Sequence, residues 1–268
     1  MVRVFRCVVV CCFLGFPGLP AWADADRMVP SPMPAAVTGT ARPLGVTGAE
    51  FGLGAGAIFP EDGAARYLGR ASLDVAITAH HGLQGDLSLE GLDGTQVGRV
   101  AGHLYMLPRP GQKYGLFGMV ADLDDRAFTY VTAGAEGIFD LGHGVGVEAR
   151  GGLGLATQGP LDVVFAGALA TWQAAPALRL DVGLDAAHVD EVGLTATLTE
   201  TRIGARLARP RGGPALDLAV VHEALGDLGS ETSLRTALTW RFGDTGPTTA
   251  RPFRGQDPVA PLIRRGLY

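Results

Sequence analysis

The chain has 268 residues, a formal net charge of −5, 40 glycines and 18% charged residues, the last against a usual figure of about 25%. That charge excludes a strongly basic nucleic-acid binder, and the lack of a collagen period, a heptad or any repeat of roughly 20 to 50 residues excludes fibrous, coiled-coil and solenoid classes. After residue 20 no apolar run approaches the roughly 18 residues of a spanning helix; the longest, Val163 to Ala170, falls far short.

Met1 to Ala23 (residues 1–23) has the three parts of a secretory signal: Arg3 and Arg6, an apolar stretch from Cys7 to Leu19, and the A-x-A site Ala21-Trp22-Ala23 ahead of Asp24 and Asp26. All three cysteines, Cys7, Cys11 and Cys12, lie inside it. A mature chain starting after Ala23 would carry no disulfide, thiolate metal site or cysteine nucleophile. Loss of Arg3 and Arg6 would take the charge from −5 to −7. Residues 24–48, with Pro30, Pro32, Pro34 and Pro43, read as an extended leader.

Residues 49–243 then alternate apolar and polar in segments of about ten, which is period two rather than 3.6. In Tyr67 to Ala79, Leu73, Val75 and Ile77 oppose Arg70, Ser72 and Asp74. In Leu83 to Leu92, Leu87 and Leu89 oppose Asp86 and Glu90. Val97 to Leu107 and Lys113 to Leu123 are weaker members. In Val145 to Leu155, Val147 and Leu153 oppose Glu148 and Arg150. In Leu178 to His188, Leu180 and Val182 oppose Arg179, Asp181 and Asp185. Leu194 to Leu207 slips phase near Glu200, and Leu234 to Phe242 sets Leu238 and Trp240 against Arg235 and Arg241. Turn residues such as His81-Gly82, Asp93-Gly94, Gly142 to Gly144 and Pro210 to Pro214 punctuate the series. About twelve strands in an antiparallel hairpin meander result, and an open sheet of that width would leave edges exposed.

Two closures satisfy this pattern. A soluble sandwich or barrel, as in a secreted β-protein, points apolar residues inward; a membrane barrel points them at lipid and gathers charge in the lumen. Strand length favours the membrane, since about 9–11 residues cross a bilayer at a tilt whereas soluble strands run nearer five or six. So do aromatics at strand ends, among them Phe59, Tyr67, Tyr105, Tyr114, Phe128, Tyr130, Phe139, Trp172, Trp240 and Phe242, as in the girdles of lipid-facing barrels. With the termini on one side, Glu61, Asp62, Asp93, Asp124, Asp125, Asp190, Glu191 and Asp227 fall at one set of turns, and His80, His81, Arg109, His143, Arg209 and Arg211 at the other.

The cleavable signal, the meander of amphipathic ten-residue strands and the last strand Leu238-Thr239-Trp240-Arg241-Phe242 resemble the Gram-negative outer-membrane β-barrel (porin-like) superfamily over residues 49–243. The resemblance implies an all-β, antiparallel up-and-down transmembrane barrel of about twelve strands with short turns, reached through the barrel-assembly machinery and set in outer-membrane lipid and lipopolysaccharide. It implies no nucleic-acid partner, no cofactor and no metal. One departure stands out. Such barrels often end at a terminal aromatic on the last strand, whereas Phe242 is followed by a Pro- and Arg-rich tail (residues 244–268) ending in Leu267-Tyr268. The tail reads as a solvated, disordered segment.

In this arrangement the lumen receives Arg70, Asp74, Asp86, Glu90, Arg99, His103, Glu136, Glu148, Arg150, Arg179, Asp181, Asp185, Arg202, Arg206, Asp217, Glu223, Arg235 and Arg241. One reading is a selectivity ladder lining a pore, with Arg70, Arg99, Arg150, Arg202 and Arg235 facing Glu90, Glu136, Glu148 and Asp185. The other is a paired Arg–carboxylate network that fills a closed, structural barrel, helped by side chains or the leader. Catalysis has thin support. His80-His81 sit at a turn, and no H-E-x-x-H or G-x-S-x-G occurs. A membrane-embedded lipid-modifying hydrolase would need Ser72, Ser88 or Ser233 brought to His103 or His222. Porin-like passage of small polar solutes, or a closed structural barrel, is the expected function.

Overall fold

The computed structural model describes residues 44–59, 65–92, 95–124, 128–156, 162–191, 194–209, 213–243, 251–255, 258–260 and 262. The signal, the leader as far as Pro43, the turn residues Glu61, Asp62, Asp93, Asp125 and Arg211, and Leu267-Tyr268 lie outside them.

Twelve strands form: β1 Gly45–Phe59, β2 Ala65–Ala76, β3 His81–Leu92, β4 Thr95–Arg109, β5 Gln112–Leu123, β6 Phe128–Gly142, β7 Val145–Ala156, β8 Asp162–Ala175, β9 Leu178–Glu191, β10 Leu194–Leu207, β11 Ala215–Ala224 and β12 Ser230–Gly243. β1 therefore begins inside the segment read as leader. Each strand pairs antiparallel with its successor, and β1 closes on β12 with Glu50 opposite Arg241 and Leu53 opposite Leu238. Closure removes the edges that a twelve-strand sheet would otherwise expose. Turn chemistry matches the hairpins. Between β6 and β7, Gly142, His143 and Gly144 all take positive φ (83°, 53° and 75°), the backbone that tight hairpin turns demand and that glycine adopts without strain.

The alternation decides which solvent meets which face. Leu73 is 45% exposed, Leu87 58%, Val182 58% and Ile203 67%, while Asp74, Glu90, Glu136, Glu148 and Asp181 are all buried. A water-soluble barrel has the opposite arrangement; this one has an apolar outer wall and an ionic interior, as a bilayer requires. Phe59, Tyr67, Trp172 and Phe242 lie exposed near strand ends, as a girdle should. Three expected girdle members do not. Tyr105, Phe128 and Tyr130 are buried in the lumen, because their places in β4 and β6 put them on the inward parity, where packing partners are available.

Glycines on the inward face make room for long or charged neighbours. A Cβ on Gly167 would overlap the Asp185 carboxylate, and one on Gly204 would crowd that of Asp181. The small-residue wall thus lets charged groups lie across it.

The candidate site in the barrel lumen

Chain direction distinguishes two ends. The terminal end carries the start of β1, the end of β12 and the turns β2–β3, β4–β5, β6–β7, β8–β9 and β10–β11; the far end carries the other turns. Asp124, Asp190 and Asp227 belong to the far end, and His80, His81, Arg109, His143 and Arg209 to the terminal end, with Asp140 an acidic exception there. His81 Nδ1 lies 3.0 Å from Thr78 Oγ1 in an exposed turn, so the His80-His81 pair is a surface turn feature.

All fourteen residues proposed as selectivity groups, Arg70, Asp74, Asp86, Glu90, Arg99, Glu136, Glu148, Arg150, Arg179, Asp181, Asp185, Arg202, Arg206 and Arg235, sit on inward-facing positions, buried or half-buried. Their pairing follows the ladder read off the sequence only in part: Arg150 reaches Asp185 at 3.7 Å. Glu90 does bind Arg99 (3.0 Å), and also Arg66. Arg70 instead reaches Glu50 (3.3 Å) and Asp217 (3.6 Å). Arg202 binds Asp181 at 2.8 Å and Arg235 binds Glu223 at 2.5 Å. Glu50 gathers three arginines: Arg241 at 2.8 Å, Arg70 at 3.3 Å and Arg206 at 3.8 Å. Hairpin register selects most of these partners, and barrel closure adds those across the β1–β12 seam, Arg70 with Asp217 and Glu50 with Arg241 and Arg206.

His103 lies between two carboxylates, Nδ1 2.5 Å from Glu136 Oε1 and Nε2 2.9 Å from Asp86 Oδ2. Both ring nitrogens are thereby occupied by acids. His222 is exposed on the outer wall, with Nδ1 3.0 Å from Thr232 Oγ1, while Ser233 is buried on the inner one. The chain does not assemble a serine–histidine pair from His222 and Ser233.

The C-terminal segment overturns the expectation of a solvated tail: residues 251–255, 258–260 and 262 lie inside the barrel. The Gln84 side chain clamps the Phe253 backbone, donating from Nε2 to its carbonyl (3.0 Å) and accepting from its amide (2.8 Å). Lys113 Nζ donates to the Arg251 carbonyl at 3.1 Å and Arg150 Nη1 to the Arg254 carbonyl at 2.5 Å. Glu148 accepts from the Arg254 amide at 2.9 Å. The Arg254 guanidinium reaches Asp185 at 3.0 Å, and that of Arg251 reaches Thr171 Oγ1 at 3.2 Å. Phe253 stacks on His103 (centroids 5.7 Å apart, planes at 14°), meets Tyr105 edge-on, and lies 4.4 Å beneath Lys113 Nζ. Further along, Val259 and Leu262 are fully buried in an apolar cluster with Val97, Leu123, Phe128, Val163, Val189 and Leu225. Those wall residues stand at the ends of strands that meet at the far end. From Arg251 to Leu262 the described residues therefore run toward the far end.

Sequence reasoning missed Glu50, Arg66, Gln84 and Lys113 as lumen groups, together with Arg251 and Arg254. Inward parity within β1, β2, β3 and β5 was a signal for the first four; nothing local marked the last two. Beside the segment remains a cavity of about 360 Å³, bounded by charged wall residues and by Arg251, Phe253 and Arg254.

No family model matches the chain, and no curated protein sequence matches it. Solved structures do. The NanC porin superposes with a TM-score of 0.56 at 8% identity, over 71% of this chain and 98% of that one. An outer membrane channel from Pseudomonas putida F1 gives 0.55 at 12% identity, over 75% and 97%. The KdgM porin gives 0.52 at 6% identity, over 72% and 99%. The chain has the outer-membrane channel fold. Those chains are covered almost completely by the barrel, so the likeness is of the whole closed sheet.

Proposed function

We propose that this protein is an outer-membrane channel for small polar solutes, with a lumen narrowed by its own C-terminal segment. The observation that carries the reading is the ionic inner wall running along a closed barrel whose outer wall is apolar, with a cavity of about 360 Å³ against the segment. The inward charged groups would set selectivity, since rings of charge control which solutes enter a pore. Cleavage after Ala23, insertion by the barrel-assembly machinery of a Gram-negative bacterium and contact with lipopolysaccharide belong to the same reading. The acidic far-end turns would meet lipid phosphates through divalent cations, and stability unchanged by EDTA would count against that contact.

A second reading, a closed structural barrel, is favoured by the number of bonds holding residues 251–254 in the lumen. Planar-bilayer recording separates the two. The mature chain is expected to give small conductance steps, and a chain ending at Ala250 steps several-fold larger, as roughly expected when an obstruction leaves a pore of this width. Absence of steps from both, with heat-modifiable mobility proving that each is folded, leaves the structural barrel.

A further inference from the structure

Most lumen arginines have a carboxylate partner, and among the described residues Arg179 has none. Arg179, near the start of β9 at the terminal end, makes no hydrogen bond or ion pair among the described residues, and its Nε is shut off from solvent. Its direct cross-strand neighbour is another arginine, Arg206 of β10. Arg241 of β12 and Arg251 of the C-terminal segment also act on it electrostatically. The acids in reach are already committed: Glu50 to Arg70, Arg206 and Arg241, and Asp217 to Arg70, Arg206 and the Thr239 hydroxyl. The same imbalance holds for the whole cavity, whose described lining contains eleven arginines and eight carboxylates. A guanidinium held among guanidinia and partly withdrawn from water is costly unless an anion compensates it.

We propose that Arg179, Arg206, Arg241 and Arg251 form a binding site for a small oxyanion, a carboxylate or phosphate group, inside the terminal half of the lumen. The planar guanidinium fork presents paired N–H donors that match either group. Arg251 belongs to the segment, so the site is complete only when the segment is seated, and a bound anion ties the segment to the wall. That this anion is a transported solute rests on the channel reading; the site itself does not require conduction.

The test is calorimetric titration of the mature protein in detergent, at fixed ionic strength, with succinate and separately with inorganic phosphate. At least one is expected to bind with a Kd below about 1 mM, the weakest affinity at which a specific site is easily told from ionic atmosphere. Arg179→Gln is expected to weaken binding roughly tenfold or more, the loss of one charge-assisted contact. Arg109→Gln removes the same charge from an exposed place at the same end and is expected to leave binding unchanged. In anion-free buffer Arg179→Gln is expected to raise the thermal transition, because it removes an uncompensated charge; an arginine with a merely structural role would lower it. Succinate binding alone assigns the site to carboxylates, and phosphate binding alone to phosphates; either supports the proposal. Binding of neither, or equal weakening by Arg179→Gln and Arg109→Gln, overturns it. A barrel that binds anions yet never conducts would sink the channel reading and leave the site standing.

Discussion

The terminal half of the lumen and the far end hold one segment by different means. At the terminal half the wall grips backbone: Gln84 takes the Phe253 amide and carbonyl, Lys113 the Arg251 carbonyl, and Arg150 and Glu148 the two sides of Arg254. At the far end Val259 and Leu262 are buried among apolar side chains. The physical consequences differ. A polar contact exchanges for water at a net value near 1 kcal/mol, so the backbone grip of the terminal half, though not the buried Phe253 ring, can be solvated bond by bond. A buried aliphatic side chain is worth about 1.5–3 kcal/mol and has no aqueous substitute. The difference teaches that the far end latches the segment by apolar burial, while the terminal half adds solvatable polar contacts to the one buried ring of Phe253.

The comparison can be broken in order of effect. Glu223 is 1% exposed and is paired with Arg235 near the far end. Arg235→Gln leaves that acid without its short ion pair and should cost about 3–5 kcal/mol, read as a lower urea midpoint of the refolded barrel. An unchanged midpoint would mean that water reaches Glu223 and that the far end is not sealed. Leu262→Ala should cost about 2–5 kcal/mol and release the segment, so that added protease trims it and single-channel conductance rises. If conductance stays at the parent value, the latch lies elsewhere.

The outer wall provides the reference for both halves. Leu87→Arg, on a side chain 58% exposed to the surroundings, should cost about 2–4 kcal/mol if that position lies near the bilayer midplane. A neutral result would contradict the inside-out orientation itself. Gln84→Ala should be the mildest, about 2 kcal/mol for two lost contacts to the Phe253 backbone. Its expected signature is faster open–closed flicker with the segment still protease-resistant. Release as complete as with Leu262→Ala would show that the terminal half, not the far end, does the holding.

The strands and their inward sets were legible because alternation is local: Leu73 beside Asp74, or Leu180 beside Asp181, reports opposite faces whatever lies across the sheet. The lumen members followed from that parity alone, and all fourteen residues proposed as selectivity groups lie inward. Their partners did not follow. Arg70 meets Glu50 across the β1–β2 hairpin and meets Asp217 because closing β1 on β12 brings β2 and β11 to opposite sides of a two-strand seam. Tyr105, Phe128 and Tyr130 looked like girdle residues by position near strand ends, yet inward parity placed Phe128 and Tyr130 in the apolar far-end cluster and Tyr105 beside Ile138 and Phe253.

The amino-acid sequence by itself determined the twelve-strand alternation, the turns and the two-faced wall, since side-chain direction in a strand is set by the backbone every second residue. Only the tertiary structure decided that Pro252-Phe253-Arg254 belongs inside the barrel. That segment has no periodicity of its own. Its place depends on Gln84, Lys113, Glu148, Arg150 and Asp185 from four different strands converging on one stretch of chain, and such convergence exists only once the sheet has closed.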